Sequence, residues 1–187
     1  MRESRTDRLM KNADGFDAIV IANDGKPFLD STFWYITEQN SGCFEGCYAI
    51  IRKDGSMDVI VNSLEEETAR AGKGAVKVYH TRDDLVGFLK EGLKDCKKVG
   101  FNVHNVTYAS VKGIKKLSGL NFEVADATEP LARTYAIKDE KEISFRNYTT
   151  GLMYTISVSE ETGYIMIDDR TVKTPLVAVQ EAMKTMH

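Results

Sequence analysis

The strongest constraint on folding lies between Cys47 and Val61. Two apolar runs, Cys47 to Arg52 and Met57 to Val61, flank Lys53-Asp54-Gly55-Ser56. Asp-Gly between β-prone runs is among the better short-range signals for a hairpin, because its backbone twist matches that of the flanking strands. The preceding run, Ala18 to Ala22, is apolar throughout and bounded by turn residues, as in a strand covered on both faces. After the hairpin, strand-like and helix-like segments alternate. Strands are expected at Val76 to Tyr79, Lys98 to Phe101 and Phe122 to Ala125. Helices are expected at Asp83 to Leu93, around Tyr108 to Leu117 and at Thr128 to Tyr135. A hairpin feeding such an alternation predicts an α/β fold with a mixed sheet and flanking helices.

Local signals fill in the remaining elements. Arg5 to Asn12 has the spacing of a short amphipathic helix with Leu9 and Met10 inward. Asp30 or Ser31 is placed to cap a short helix holding Phe33-Trp34-Tyr35-Ile36. Ser63 is placed to cap a helix that begins with Leu64-Glu65-Glu66-Glu67 and stops near Gly72. Residues 1–136 thus read as one compact domain. From Ile137 the chain reads as a linker helix, starting at Asp139-Glu140-Lys141-Glu142, and then a divergent tail. In that tail only a strand at Tyr164 to Ile167 and a helix from Thr174-Pro175 to Met183 have support.

Composition bears mainly on partners. A formal charge of −3 gives no electrostatic reason to expect nucleic acid. No apolar run approaches the ~20 residues of a membrane span, and the charged N-terminus lacks the core of a signal peptide. The expected location is the cytoplasm, with no membrane partner. Three cysteines, Cys43, Cys47 and Cys96, do not form a disulfide framework. Cys43 and Cys47 lack the second pair a metal site would need, and Cys47 in a strand reads as a small buried apolar residue.

Chemistry-bearing groups are sparse. His80 and His104 stand at predicted strand ends without motif partners. Gly72-Lys73-Gly74 lacks the frame of a phosphate loop and reads as a helix end. Glu65-Glu66-Glu67 and Asp83-Asp84 fit first turns that complement the helix dipole. Phe33-Trp34-Tyr35 is different. It runs into the polar loop Thr37-Glu38-Gln39-Asn40-Ser41-Gly42, so it reads as part core and part surface facing a partner or substrate.

Taken in order, these segments resemble a known family. Asp17-Ala18-Ile19-Val20-Ile21, then Asp30 followed by Trp34-Tyr35-Ile36-Thr37, the hairpin with Val59-Ile60-Val61, and Lys98-Val99-Gly100-Phe101-Asn102 are similar to the N-terminal domain of the creatinase/prolidase/aminopeptidase P family. Leu131-Ala132-Arg133 and Ile137-Lys138-Asp139-Glu140-Lys141-Glu142-Ile143 resemble its linker into the catalytic half. Where that family usually has Tyr-Leu-Thr-Gly, this chain has Tyr35-Ile36-Thr37 and then Glu38 in place of glycine.

The resemblance implies a ribonuclease H-like α/β domain that helps assemble a dimer and borders an active site. Trp34, Tyr35, Thr37 and Glu38 would gate or dock there and would not be catalytic. It also implies a metal-dependent Xaa-Pro peptidase whose separate catalytic half holds two Mn or Co ions. Beyond Arg146 only Glu160, Glu161, Asp168, Asp169, Glu181 and His187 are available, which is not a family-like ligand set. The expectation is therefore a non-catalytic chain without cofactor of its own, pairing as a homodimer or with a peptidase catalytic domain. The alternative is a free-standing peptide- or protein-binding module.

Overall fold

The computed structural model describes residues 3–25 and 27–136 in full, and beyond them the backbone of four short strands. The chain divides into two compact units, Met1–Ala136 and Ile137–His187. In the first unit, α1 (Arg5–Asn12) precedes β1 (Ala18–Asn23), α2 (Thr32–Thr37) and the hairpin β2 (Cys47–Arg52) and β3 (Met57–Asn62). Then follow α3 (Glu66–Arg70), β4 (Ala75–Tyr79), α4 (Arg82–Gly92), β5 (Lys98–Phe101), α5 (Tyr108–Ser118), β6 (Glu123–Asp126) and α6 (Thr128–Ala136).

The six strands form one mixed sheet in the order β4-β3-β2-β1-β5-β6. The hairpin pairs Ile51 with Met57 and Tyr48 with Ile60, and Gly55 supplies the positive φ of 79° that its turn requires. β1 runs antiparallel to β2 and parallel to β5, so the strand with the continuous apolar run is central. All six of its residues are buried. Its alternate side chains feed two cores. Ile19 and Ile21 join Leu9, Phe33, Ile36 and Leu131 on the face covered by α1, α2 and α6. Ala18 and Val20 join Leu89, Phe101 and Ile114 on the face covered by α4 and α5. Each fully buried Ile or Phe contributes on the order of 1.5–3 kcal/mol, so the two-sided burial accounts for the lack of polar alternation in β1.

Caps set several boundaries. Ser4 and Thr81 each accept the backbone N–H three residues on, while Asp7 and Asp84 return the bond, so α1 and α4 start on capping boxes. Ser63 does not cap α3: the helix begins at Glu66, its cap residue is Glu65, and no side-chain cap bond forms. Glu65 is instead drawn away to bind the loop before β2. α2 likewise has Ser31 at its cap position without a side-chain bond, because Asp30 Oδ1 accepts from the Thr32 N–H at 2.9 Å and the Thr32 hydroxyl at 2.6 Å. Asp58, buried in β3, is held by Arg52 and by Lys77 at 3.2 Å, and Lys77 reaches Glu91 at 2.9 Å.

The second unit contains β7 (Ser144–Arg146), β8 (Met153–Val158), β9 (Ile165–Ile167) and β10 (Arg170–Val172), an antiparallel sheet in the order β10-β9-β8-β7. β9 coincides with the strand expected near Tyr164 to Ile167, whereas β7, β8 and β10 are not among the expected elements. The helix starts expected at Asp139 and Thr174 lie outside the described residues.

Candidate functional site

The loop singled out by sequence leaves α2 and returns to β2. α2 has two sides. Phe33, Tyr35, Ile36 and Thr37 are buried, while Trp34 and Glu38 keep part of their surface exposed. Thr37 is fully buried, bonds its hydroxyl back to the Phe33 carbonyl at 2.7 Å, and accepts the Lys73 N–H at 2.8 Å. The Tyr35 hydroxyl donates to the Thr134 carbonyl at 3.0 Å, and its ring meets Tyr135 edge-on at 4.9 Å. The Arg5 guanidinium lies 4.3 Å from the Tyr35 ring centroid and donates to the Tyr35 carbonyl at 2.5 Å. Tyr35 and Thr37 therefore shape the loop's base, and Trp34 and Glu38 supply its face.

The face is held rigidly. The Trp34 indole N–H donates to the Gly42 carbonyl at 3.2 Å, and its ring packs edge-on against Phe33 and Phe44. One carboxylate oxygen of Glu65 accepts both the Cys43 and Phe44 N–H groups, at 3.1 and 3.0 Å. Gly42, at φ 95°, fits between these anchors, since a Cβ there would come within 2.6 Å of the Phe44 ring and 2.9 Å of Glu65. Glu38 sits in the left-handed region at φ 53° and ψ 40°, donating its N–H to the Tyr35 carbonyl at 3.3 Å. That conformation explains why glycine suits this position.

A second polar cluster, which sequence did not reveal, lies at the carboxyl ends of β1 and β5. Asp30 is buried, and its carboxylate accepts the side-chain amides of Asn102 at 2.7 Å and Asn105 at 3.1 Å. The Asp30 N–H donates to Asn23 Oδ1 at 2.9 Å, and the Thr128 hydroxyl donates to Asn102 Oδ1 at 3.3 Å. The β1–α2 loop, the β5–α5 loop and the start of α6 are thus tied to one carboxylate. Asn23 and Asn102 follow apolar strands without a spacing signal, so only the structure brings them together. Beside them Asp24 accepts from the hydroxyls of Thr107 at 3.0 Å and Ser110 at 2.7 Å.

The remaining candidates stay apart. His80 and His104 are exposed, Glu66 pairs with Arg70 at 2.8 Å, and Cys47 is buried while Cys43 is exposed. Burial pushes the Cys47 thiol up to about 12. Among the described residues no group of three or more His, Cys, Asp or Glu is placed to hold a metal ion, so they do not fit a two-metal centre. Among the same residues no helix is long and apolar enough to cross a membrane.

Comparison with known proteins agrees with this architecture. No curated protein matches the chain. The prolidase from Pyrococcus horikoshii superposes with a TM-score of 0.58 at 21% identity, over 74% of this chain and 37% of that one. A proline dipeptidase structure from Streptococcus pneumoniae gives 0.60 at 20% identity, over 73% of this chain and 100% of that one. The N-terminal domain of the cytoplasmic peptidase PepQ from Mycobacterium tuberculosis gives 0.54 at 20% identity, over 70% and 97%. At such identities the likeness is one of fold, and the chain spans well under half the length of the Pyrococcus prolidase. The sequence itself matches the creatinase/prolidase N-terminal domain profile over residues 2–134. This chain belongs to the creatinase/prolidase N-terminal domain family.

Proposed function

We propose that this chain is a non-catalytic cytoplasmic domain of the Xaa-Pro peptidase kind, serving assembly and substrate access through the loop from Trp34 to Gly42. The partner is a second copy of the chain or a peptidase catalytic domain. In this role the chain needs no metal of its own, and the Mn or Co ions belong to the catalytic partner. Trp34 and Glu38 make the docking contacts, and Tyr35 and Thr37 hold them in place.

The observation that carries this reading is the preorganised loop. Its indole, its left-handed turn and its carboxylate-anchored amides are fixed before any partner arrives, so little ordering entropy opposes docking. Sedimentation velocity across a concentration series tests it. Self-association by the wild type, lost in Trp34→Ala with the far-UV circular dichroism unchanged, is the expected result for the homodimer. A wild type that stays monomeric and does not bind a family catalytic domain would refute the assembly role. Hydrolysis of Xaa-Pro dipeptides by the purified chain with Mn²⁺ or Co²⁺ would refute the non-catalytic one.

A further inference from the structure

The polar cluster around Asp30 contains one atom without a partner. Asn23 is fully buried at the end of β1, and its side-chain nitrogen has no hydrogen-bond acceptor among the described residues. The other end of the same amide fixes its orientation. Asn23 Oδ1 accepts the Asp30 N–H at 2.9 Å, and a flip would set one donor against another. Native proteins rarely leave such a donor unmet, because a buried orphan costs about 1–3 kcal/mol.

Spare acceptor capacity lies in the same cluster. Asp30 Oδ1 is crowded, accepting from the Thr32 N–H, the Thr32 hydroxyl and the Asn105 amide. Asp30 Oδ2 accepts from Asn102 alone among the described residues, at 2.7 Å, and a carboxylate oxygen can take a second donor. Asn23 Nδ2 does not reach that oxygen directly. A cation between the two would face the amide hydrogens, and an anion would face the carboxylate. A group that accepts from one and donates to the other suits both, and the smallest such group is water.

The topology places this cluster where a molecule can be held. β1 and β5 are parallel neighbours, yet the chain leaves β1 for α2 on one face of the sheet and leaves β5 for α5 on the other. Loops that part in this way open a crevice at the carboxyl ends of the strands. Asn23, Asp30 and Asn102 are 0%, 2% and 5% exposed, so an occupant here is small and enclosed.

We propose that a single buried water is bound at this switch point, accepting from Asn23 Nδ2 and donating to Asp30 Oδ2. It links the end of β1 to the loop entering α2, beside the direct bond from Asp30 to Asn23. The site stands apart from the docking role of the Trp34 loop and does not depend on it.

Hydration NOE and ROE spectra of the isotope-labelled full chain test this, with the Asn23 side-chain amide assigned through its own backbone. The expected result is a cross peak from that amide to the water resonance, with the opposite NOE and ROE signs of a long-lived bound water. Thr32→Val removes a nearby exchangeable hydroxyl that could relay such a signal, and the cross peak should persist in it. A high-resolution crystal structure of the wild type should show the water oxygen about 3 Å from both Asn23 Nδ2 and Asp30 Oδ2. Absence of the cross peak, its loss in Thr32→Val, or a crystal structure in which a protein carbonyl or an ion meets the Asn23 amide would overturn the proposal.

Discussion

Asp30→Asn is expected to destabilise the first unit by about 2 kcal/mol, and the cause can be followed atom by atom. In the native protein Asp30 Oδ2 accepts from Asn102 Nδ2 at 2.7 Å, and Oδ1 accepts from Thr32 and Asn105. Asparagine keeps the shape and can keep one oxygen toward Thr32 and Asn105. Its amide nitrogen then faces the Asn102 amide, donor against donor. Both residues are buried, at 2% and 5% exposure, so water cannot easily take the lost acceptor's place. A buried orphaned donor costs about 1–3 kcal/mol, and loss of the charge-assisted bond adds to this. Relief from desolvating a carboxylate offsets part of it.

The exchange Asp30→Asn with Asn102→Asp separates this account from a general intolerance of the site. In the double variant the amide introduced at position 30 donates to the carboxylate introduced at position 102. That carboxylate still accepts the Thr128 hydroxyl, as the Asn102 side chain does now. The amide donor at position 30 and the Thr128 hydroxyl then both have an acceptor, so more than half of the loss should return. Urea unfolding followed by Trp34 fluorescence reports on this unit in particular, because Trp34 lies within it and is unique. If Asp30→Asn costs less than ~0.5 kcal/mol, or the double variant is no more stable than the single one, the Asp30–Asn102 bond is not what holds these loops.

Three further outcomes follow from single residues. Because Glu38 is left-handed at φ 53°, Glu38→Gly should be about 1 kcal/mol more stable than Glu38→Ala in thermal unfolding, the alanine retaining the steric strain; equal stability would deny that strain. Burial holds the Cys47 thiol at about 12 while Cys43 is exposed, so a thiol reagent at pH ~8 should modify Cys43 roughly a thousandfold faster than Cys47, read by peptide mass spectrometry with and without urea. The N–H groups of Lys98 and Lys97 lower the Asp17 carboxyl below its usual 3.8. A depressed folded value means stability that is full above the unfolded value and is lost as pH falls through the folded one. Asp17→Asn should therefore be less stable than wild type at pH ~7, and the difference should vanish toward pH ~2 in acid unfolding curves.

Sequence was most informative where periodicity and turn chemistry act together. The hairpin around Asp54-Gly55, the limits of β5 and the apolar centre of β1 follow from local pattern, since short apolar runs bounded by turn residues and a positive-φ turn leave few alternatives. Capping was less legible. Ser63 has the right residue type before an acidic turn, but Glu65 is recruited by the amides of Cys43 and Phe44 across 21 or more residues, and the helix starts later. No local rule anticipates such a long-range bond. The same holds for Asn23, Asp30 and Asn102, which meet only because β1 and β5 become neighbours in the finished sheet. The strands β7 and β10, three residues each, are too short to give a two-residue signal, whereas β8 alternates Tyr154, Ile156 and Val158 with Thr155 and Ser157 and the sequence reading missed it.

The arrangement of α2 ties these threads together. A six-residue helix cannot persist alone, so its stability comes from what its buried side touches. Phe33 and Ile36 enter the core, and Tyr35 reaches past it to α6, bonding Thr134 just before the first unit ends. Thr134 is itself buried, and its hydroxyl accepts from Asn12 at 2.9 Å and donates to Pro130 at 2.8 Å, so α1, α2 and α6 share one polar clasp. The outward side of the same short helix carries Trp34. Moving the indole by more than a rotamer change would therefore require moving Tyr35, and with it the last helix of the unit. A docking face built this way is stiff because its support is the core, and a mutation that loosens the Tyr35–Thr134 bond should disturb Trp34 without touching the surface.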